Sequence, residues 1–425
     1  MDCVVVGGGL AGLVAARRLA DAGVDVRLCE RRDAVGGRVR TRHRDGYTLD
    51  YGFQVLFTAY PAVRRELDLD ALDLRRFRPG AIICRPGRRS TLSDPFRDPG
   101  ALVESLFNRE VGLGDKLRTL GLRRELTRRS PESILDGAVA GEPDIAAYLH
   151  DRGFSPAFVD SFAAPFYGGI TLDRTLSSSK AVFEYTFKML SEGAIAVPAA
   201  GMGAIPARLA DRARTAGVAI ETGRTVTAVE PTADGRVRVR TGEATREADA
   251  AVVATDPATA GELTGVATPT GTRGCVTQYV ALPGHVDLGT GGRILLNAAD
   301  AEPNEVVPLS AVAPEYAPDD RRLLAAVYTG EREADGTTLL ARTRRALESW
   351  YPARRFDGIE PVHTDRIEFA QFNQPPGFRE SLPAVDAPAG AVVLAGDYTR
   401  WSSLNGAVES GRRAAERVLA ADGRD

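Results

Sequence analysis

The sequence has 425 residues but few cysteines and no long apolar run, and each scarcity argues against a class of protein. Its four cysteines are scattered, no two form a C-x-x-C pair, and the four histidines lie far apart. This spacing predicts neither a disulfide framework nor a metal site. No stretch of about 18 consecutive apolar residues occurs, so no transmembrane helix is predicted.

Lysine is also scarce, with Lys116, Lys180 and Lys188 as the only three among 54 basic residues. The net charge of −3 gives no electrostatic attraction to nucleic acid. Hydrophobic content of 44% and charged content of 26% are typical of a soluble globular protein. We expect no signal peptide, because a strand is predicted from the first residue, and a reducing cytoplasmic location. Nothing in the sequence indicates an oligomeric state.

An arginine-rich stretch is the one feature that suggests contact with a membrane. Such a cluster can bind anionic lipid where an apolar substrate enters, so peripheral membrane contact is the most that we expect. The interpretation that we favour is a solvated face in an arginine-rich protein. The stretch contains Arg75, Arg76, Arg78, Arg85, Arg88 and Arg89.

The first forty residues carry the strongest functional signal. A buried strand is predicted at Met1–Val6, a helix at Leu13–Ala22 and a second strand at Val24–Leu28. A G-x-G-x-x-G sequence follows the first strand, and Glu30 follows the second. Strand, glycine-rich turn, helix, strand and acid in this order form the fingerprint of dinucleotide binding.

The glycines of this turn have distinct predicted roles. Gly7 permits the tight turn, Gly9 lets the backbone approach a pyrophosphate, and Gly12 lets the helix pack against the strand. The same loop contributes Leu10 and Ala11 at a helix N-terminus, which attracts phosphate. The acid after the second strand accepts hydrogen bonds from a ribose. We favour this interpretation over a glycine-rich turn in an ordinary α/β protein, because the strand and the acid are both in place.

A second pair of glycines, Gly36 and Gly37, precedes Arg38 and comes shortly after Arg31. At this distance from the ribose-binding acid, the pair predicts a second loop that approaches phosphate, with Arg38 paired to the pyrophosphate. The alternative is a surface turn with a solvated arginine.

The rest of the chain alternates between two predicted domains. A nucleotide-binding domain is predicted from residues 1–89, 201–274 and 385–425, and a substrate domain from residues 90–200 and 275–384. The segments that define them are an amphipathic helix from Pro99 to about Leu126, a hairpin turning at Asp234 and Gly235, strands at Cys275–Leu282, Arg293–Asn297, Val306–Val312 and Leu323–Tyr328, a helix at about Thr337–Tyr351, a strand at Ala391–Leu394 and a helix at Gly406–Ala420.

Three motifs at the two ends of the chain resemble those of the flavin-containing amine oxidoreductase superfamily, which holds amine oxidases, protoporphyrinogen oxidases and carotenoid desaturases. The first is Val4–Gly12 with Glu30, and the second is Val35–Arg38. The third is Leu394–Asp397, which runs into Asn405–Gly411. The resemblance implies an α/β fold with a Rossmann-type FAD-binding domain and a second, mixed α+β substrate domain.

The resemblance also implies non-covalent FAD and its contacts. The stretch from Gly52 to Val55 would pass near the isoalloxazine, Val226 would meet the adenine, and Asp397 would bind the ribityl or pyrophosphate part. The last helix would begin beneath the pyrimidine ring of the flavin. The residues implied at the cofactor are Gly7, Gly9, Leu10, Ala11, Gly12, Glu30, Arg31, Gly36, Gly37, Arg38, Gly52, Phe53, Gln54, Val55, Val226, Gly396, Asp397, Leu404, Asn405 and Ala407.

Features of the amine oxidase branch are missing from this sequence. The lysine that these enzymes place near the flavin has Thr277 at its position, the aromatic cage has no match at Ala370 or Leu404, and the flavin-linking cysteine has none near Phe369. Stretches such as Phe162–Gly169 resemble carotenoid desaturases, which take large apolar isoprenoids. The alternative for such leucine- and phenylalanine-rich stretches is ordinary protein core.

The leading prediction is an FAD-dependent oxidoreductase, a desaturase or oxidase, that accepts a hydride from a small, apolar molecule of isoprenoid or secondary-metabolite type. The alternatives are an amine or amino-acid oxidase that produces peroxide, a non-redox flavin-dependent isomerase, and a flavin-binding protein without catalysis. The alternative for Tyr279 is an ordinary packed position in a strand. The alternative for Arg400 is a pairing with Asp397 or with another surface acid. The candidate catalytic residues near the flavin are Gln54, Tyr167, Tyr279, Arg400 and Trp401.

Overall fold

The structure is a computed structural model that describes residues 1–93, 111–242, 244–330 and 333–423. Its strands, in chain order, are β1 (Asp2–Val6), β2 (Asp25–Glu30), β3 (Thr41–Arg44), β4 (Tyr47–Asp50), β5 (Leu56–Phe57), β6 (Leu74–Arg76), β7 (Ala81–Arg85), β8 (Arg88–Leu92), β9 (Ile195–Pro198), β10 (Ala219–Thr222), β11 (Val226–Pro231), β12 (Val237–Thr241), β13 (Ala244–Ala248), β14 (Ala250–Val253), β15 (Thr272–Pro283), β16 (Ile294–Asn297), β17 (Glu305–Val307), β18 (Arg321–Thr329), β19 (Glu360–Phe372) and β20 (Val392–Leu394).

The helices follow the same numbering. One continuous helical segment consists of α6 (Pro156–Phe158), a π-helical turn at Val159–Ala163 and α7 (Ala164–Thr171). The α-helices are α1 (Leu10–Asp21), α2 (Pro61–Glu66), α3 (Leu113–Leu126), α4 (Pro131–Leu135), α5 (Ile145–Asp151), α6 (Pro156–Phe158), α7 (Ala164–Thr171), α8 (Lys180–Glu192), α9 (Ala204–Thr215), α10 (Pro257–Thr264), α11 (Leu309–Val312), α12 (Gly336–Trp350) and α13 (Leu404–Ala421).

A parallel sheet with the order β10-β2-β1-β14-β20 forms the centre of the nucleotide-binding part. Val5 pairs with Leu28 on one side and with Val252 on the other, and all three are fully buried. Apolar residues on both faces of such strands require helices on both faces. Helices α1 and α13 pack closely, because a Cβ on Gly411 would lie 2.2 Å from the carbonyl oxygen of Ala11. The predicted Rossmann-type domain is thereby confirmed.

The second large sheet of the protein is mixed and has the strand order β19-β15-β18-β17-β16-β7-β8. Only the β16–β7 pair is parallel among these described strands. Helix α12 covers one face, where the Tyr328 hydroxyl donates to the carbonyl oxygen of Leu339 at 2.9 Å. Strands β7 and β8 belong to this sheet, although residues up to 89 are predicted in the nucleotide domain. The exact domain boundaries stay a prediction.

Some predicted elements differ from those observed. The strand predicted at Val306–Val312 ends at Val307 and continues as α11, because Pro308 has no N–H group to extend the ladder. Of the helix predicted from Pro99 to about Leu126, the part from Leu113 onward is observed as α3, and residues 94–110 lie outside the described residues. In the described parts of the chain, no helix combines the length and the apolar character that crossing a bilayer requires.

Candidate functional site

A cavity of about 450 Å³ lies at the carboxyl ends of the parallel strands and extends to the seven-stranded sheet. This edge of a parallel sheet is where α/β proteins of this type bind nucleotides. Most of the predicted cofactor residues line it, namely Gly7, Gly9, Leu10, Ala11, Glu30, Arg31, Gly36, Gly37, Arg38, Gly52, Phe53, Gln54, Val55, Val226, Gly396, Asp397, Leu404 and Ala407.

The three glycines of the first turn divide into two kinds. A Cβ on Gly7, whose φ is +106°, would lie 2.6 Å from the carbonyl oxygen of Ala254, and a Cβ on Gly12 would lie 2.0 Å from that of Gly7. These two glycines therefore allow backbone segments to pack, and Gly12 is not among the lining residues. A Cβ on Gly9 would meet no atom within 4 Å. Gly9 thus leaves open space at the N-terminus of α1, as close approach of a pyrophosphate requires.

Glu30 is fixed at the wall of the cavity by the backbone. The side chain is buried, and its carboxylate accepts hydrogen bonds from the N–H groups of Gly8 at 2.7 Å and Arg32 at 2.9 Å. Two donors hold the carboxylate in one orientation, and a carboxylate has acceptor sites left over for the hydroxyls of a ribose.

Arg38 and Asp397 join motifs from the two ends of the chain. The Arg38 guanidinium donates to Asp397 at 2.7 Å and to the carbonyl oxygen of Ala370 at 2.9 Å. It also lies over the Phe369 ring, 4.9 Å from the centroid. Ser402 donates its hydroxyl to the second oxygen of Asp397 at 3.1 Å. Asp397 is therefore paired with Arg38 and not with Arg400, which corrects the alternative considered for Arg400.

Gln54 presents an unsatisfied acceptor in this region. Its Nε2 donates to the carbonyl oxygens of Arg38 and Tyr51, both at 2.9 Å. Its buried Oε1 has no hydrogen-bond partner among the described residues. Because buried acceptors are seldom left unpaired, this atom is consistent with a ligand donor at the cavity.

The last helix begins at the cavity and is capped by Ser403, whose hydroxyl accepts from the N–H of Gly406 at 2.8 Å. Asn405 is predicted at the cofactor, but its side chain hydrogen-bonds to other parts of the protein. Its side-chain oxygen accepts from the N–H of Ala62 at 2.8 Å, and its amide donates to the Tyr185 hydroxyl at 3.0 Å. The Asn405 side chain therefore caps α2, because the first N–H groups of a helix lack internal acceptors.

The other end of the cavity is formed by α7, β5 and the seven-stranded sheet. We call it the apolar end. One charged side chain, Glu305 of β17, lies there among the described lining residues. Phe166 lies in the Phe162–Gly169 stretch that resembles carotenoid desaturases, whereas the other apolar positions had the pattern of ordinary core and gave no sequence signal of a ligand site. The apolar end is defined by Phe57, Phe166, Ile170, Leu172, Ile294 and Ile367.

The site fits a dinucleotide, since an open glycine cradle, a fixed acid and two helix N-termini meet at one cavity. The family described as flavin containing amine oxidoreductase matches residues 10–419. The chain belongs to the flavin-containing amine oxidoreductase family. The family identification agrees with the predicted resemblance, and the fold places the cofactor motifs of this chain together.

Individual relatives of this flavoenzyme differ in activity. A phytoene dehydrogenase from Streptomyces griseus is 31% identical over 280 residues, which are 60% of this chain and 54% of that protein. The chain thus spans about half the length of this relative. An oxidoreductase from Methanosarcina mazei has a TM-score of 0.74 at 19% identity, with 98% of this chain and 100% of that chain covered. A redesigned putrescine oxidase has a TM-score of 0.72 at 19% identity and 99% coverage of both chains. These two structures show the fold alone.

Gln54 is the one candidate catalytic residue of the flavoenzyme that lines the described cavity. Tyr279 is fully buried, and its hydroxyl donates to the carbonyl oxygens of Asp50 at 2.7 Å and Gly52 at 3.1 Å. Tyr279 therefore supports the loop behind the cavity wall. The alternating pattern of this strand in the sequence does not show whether the Tyr279 side chain faces the cavity or the core.

The remaining candidates, Tyr167, Arg400 and Trp401, are not among the described lining residues of the cavity. Tyr167 packs against Phe183 with ring centroids 4.5 Å apart, and Trp401 packs against Tyr185 at 5.4 Å. Burial, with Arg413 and Arg379 nearby, lowers the pKa of Arg400 to about 10. The structure therefore places these three residues next to the site, and their contact with a ligand stays a prediction.

Proposed function

We propose that this flavoenzyme binds FAD non-covalently and oxidises or desaturates an apolar substrate of isoprenoid type. The observation that carries the proposal is the apolar end, where aromatic and aliphatic side chains adjoin the cofactor motifs within one cavity. Pockets of this composition bind ligands chiefly through apolar contact. The similarity to a phytoene dehydrogenase supports the same substrate class.

The nucleotide end holds the cofactor through backbone groups and a few fixed side chains. Glu30 would bind the adenosine ribose, and Gly9 with the N-terminus of α1 would receive the pyrophosphate. When bound, FAD supplies the hydride-accepting chemistry. The N-terminus of α13, at Leu404, directs the positive end of its dipole at the cavity and stabilises negative charge placed there.

Cationic substrates are disfavoured by the surroundings of Phe369. The Arg38 guanidinium occupies one face of this ring, so an ammonium group there would meet a like charge. None of the three lysines lines the cavity, so a lysine of the amine oxidase type is missing from it. The apolar walls at Phe166 and Ile170 exclude water and position a C–H bond without a charged partner.

Non-covalent binding is supported by the state of the two thiols at the cavity, Cys29 and Cys275. Burial raises the pKa of the Cys29 thiol, and it raises the pKa of Cys275 to about 12. A thiol with a raised pKa is a poor nucleophile at neutral pH and does not readily link to a flavin. Denaturation should therefore release all of the yellow cofactor into the supernatant, whereas retention on the precipitated protein would contradict this part of the proposal.

Anaerobic mixing of the holoenzyme with candidate substrates tests the reaction. The expected result is loss of the oxidised flavin absorbance with phytoene in micelles or with a prenyl alcohol, and none with putrescine or cyclohexylamine. Bleaching by the amines, with peroxide formed once air is admitted, would identify an amine oxidase. A product formed only with reduced FAD, without net oxidation, would identify an isomerase.

A further inference from the structure

We propose that Glu305 contacts the substrate and hydrogen-bonds a hydroxyl group on its otherwise apolar body. This inference rests on the proposed function and names the polar group that the substrate carries. Glu305 carries the one carboxyl group at the apolar end among the described lining residues, and it does not belong to any of the cofactor motifs.

The backbone of β17 aims the side chain at the cavity. Glu305 pairs with Leu296 of β16 and with Val327 of β18. Paired residues share a face of a sheet, so Glu305 lies on the face that also carries Ile294, two residues from Leu296. Val306 points to the opposite face, into the core beneath α12. The side chain of Glu305 is only 4% exposed and lines the cavity.

Gly169 of α7 makes the room for this carboxyl group. A Cβ added to Gly169 would lie 2.8 and 2.9 Å from the two carboxyl oxygens of Glu305. A side chain at this position would displace the carboxyl group from its place against the helix. Helix α7 is itself attached to the sheet, since Gln371 donates to the carbonyl oxygen of Ile170 at 2.9 Å.

The hydrogen-bonding capacity of Glu305 is unused by the described residues. The nearby Arg174 guanidinium donates instead to the carbonyl oxygen of Asn297 at 2.8 Å and to the Asn304 side chain at 3.1 Å. The Asn304 amide donates to the carbonyl oxygen of Pro165 at 3.0 Å. Neither carboxyl oxygen of Glu305 has a hydrogen-bond partner among these residues, so a ligand group that pairs with the carboxyl gains affinity.

The chemistry of the carboxyl group selects a hydroxyl. Burial raises the pKa of Glu305 to about 8, against a smaller opposing effect of Arg174, so the group is mainly a neutral acid at neutral pH. A neutral carboxyl group donates one hydrogen bond and accepts others, which matches a hydroxyl group. A pure hydrocarbon would leave it unpaired. An ammonium group brings three donors to a place where Glu305 is the one carboxyl among the described lining residues.

Binding of three probes with the same carbon skeleton to the holoenzyme tests the inference. The probes are farnesol, farnesene and farnesylamine, titrated calorimetrically in detergent below its micelle concentration. We expect farnesol to bind roughly tenfold more tightly than farnesene and more tightly than the amine. Equal affinity for farnesol and farnesene, tightest binding by the amine, or no binding of any probe would overturn the assignment.

Variants connect the preference to this one side chain. Glu305→Leu should abolish the preference for farnesol while retaining FAD and farnesene binding, and Glu305→Gln, which still donates and accepts, should keep most of it. Gly169→Ala should weaken the preference, because the carboxyl group must move. The control Glu348→Gln, on α12 and paired with Arg344, should behave as the unchanged protein. A preference that survives Glu305→Leu would overturn the proposal.

A spectroscopic measurement separates this inference from the proposed reaction. Infrared difference spectra should show the band of a protonated carboxyl group that shifts when farnesol binds and is missing in Glu305→Gln. A shifted band and a Glu305-dependent preference without flavin reduction by any isoprenoid would refute the proposed oxidation and leave the inference standing. Flavin reduction by isoprenoids with no role for Glu305 would do the reverse.

Discussion

The two ends of the cavity are built from different kinds of chemical groups. At the nucleotide end, backbone N–H groups, glycines without side chains and paired charges such as Arg38–Asp397 form the walls. At the apolar end, side chains from α7, β5 and the mixed sheet form the walls, and Glu305 lies among them without a partner. The comparison indicates that the charged side chains Glu30, Arg38 and Asp397 at the cofactor end are already paired within the protein, whereas Glu305 at the substrate end depends on a ligand for its partner.

The largest expected effect comes from filling the open space at Gly9. Gly9→Leu should reduce FAD affinity by a factor of roughly 100 or more, because the side chain would occupy the place of the pyrophosphate. The fold should be retained, since a Cβ at Gly9 meets no atom within 4 Å. Flavin content after purification and circular dichroism of the apoprotein measure the two quantities.

A matched control for this substitution is Gly121→Ala in α3. A Cβ at Gly121 also meets nothing within 4 Å, but the residue does not line the described cavity. Flavin content should stay the same, and stability should rise by about 0.5–1 kcal/mol because alanine favours helix over glycine. Full flavin occupancy in Gly9→Leu would show that the nucleotide end is not organised as described.

Removing one member of the charged pair between the chain ends should have the next largest effect. Arg38→Met leaves the Asp397 carboxylate buried, 4% exposed, without its cation. We expect the free energy of unfolding to fall by about 2–3 kcal/mol, at the low end for a buried pair because Arg38 is a third exposed. Urea titration of the apoprotein measures it. A loss equal to that of Arg152→Met, whose pair with Glu125 is at the surface, would contradict this explanation.

Glu305 at the apolar end should make stability depend on pH. Its folded pKa of about 8 exceeds the ordinary value of 4.5, so the folded state binds an extra proton between these values. Stability therefore falls as the pH rises through this range. Glu305→Gln should raise the free energy of unfolding by roughly 1–3 kcal/mol at about pH 8 and by less at about pH 5. Thermal unfolding at both values measures the difference, and an effect that is equal at both would be inconsistent with a buried neutral acid.

The same contrast explains which parts could be predicted from the sequence. The turn at Gly7, Gly9 and Gly12 is short, and its three glycines, two at close backbone contacts and one beside open space, all fall in one segment of the sequence. The predicted strand and helix agree with β1 and α1 within a few residues, with α1 beginning at Leu10. The hairpin at Gly235 was also correct, because an Asp-Gly turn between alternating strands is a local signal.

The substrate end depends on long-range contacts that leave no such local signal. Strand β19 was not predicted, because Asp365 occupies a buried position of this edge strand where an apolar residue would have continued the alternation. Glu305 was not predicted as a site residue either. A single glutamate in a strand is expected at the surface, and the sequence does not show which face of the sheet it occupies. Tyr279 and Trp401 were predicted near the flavin because they lie close in sequence to residues that resemble flavin-binding motifs. In the structure both side chains are buried by packing and do not line the described cavity.

The smallest expected effect sharpens the distinction between cavity wall and supporting core. Tyr279→Phe removes the hydroxyl that donates to the carbonyl oxygens of Asp50 and Gly52. Stability should fall by about 1 kcal/mol, the net value of a buried hydrogen bond, while FAD affinity and the rate of flavin reduction stay within about twofold. Stopped-flow reduction and thermal unfolding measure the two effects. A rate that drops about 100-fold with unchanged stability would return Tyr279 to the catalytic residues and would mean that the boundary between wall and core lies elsewhere.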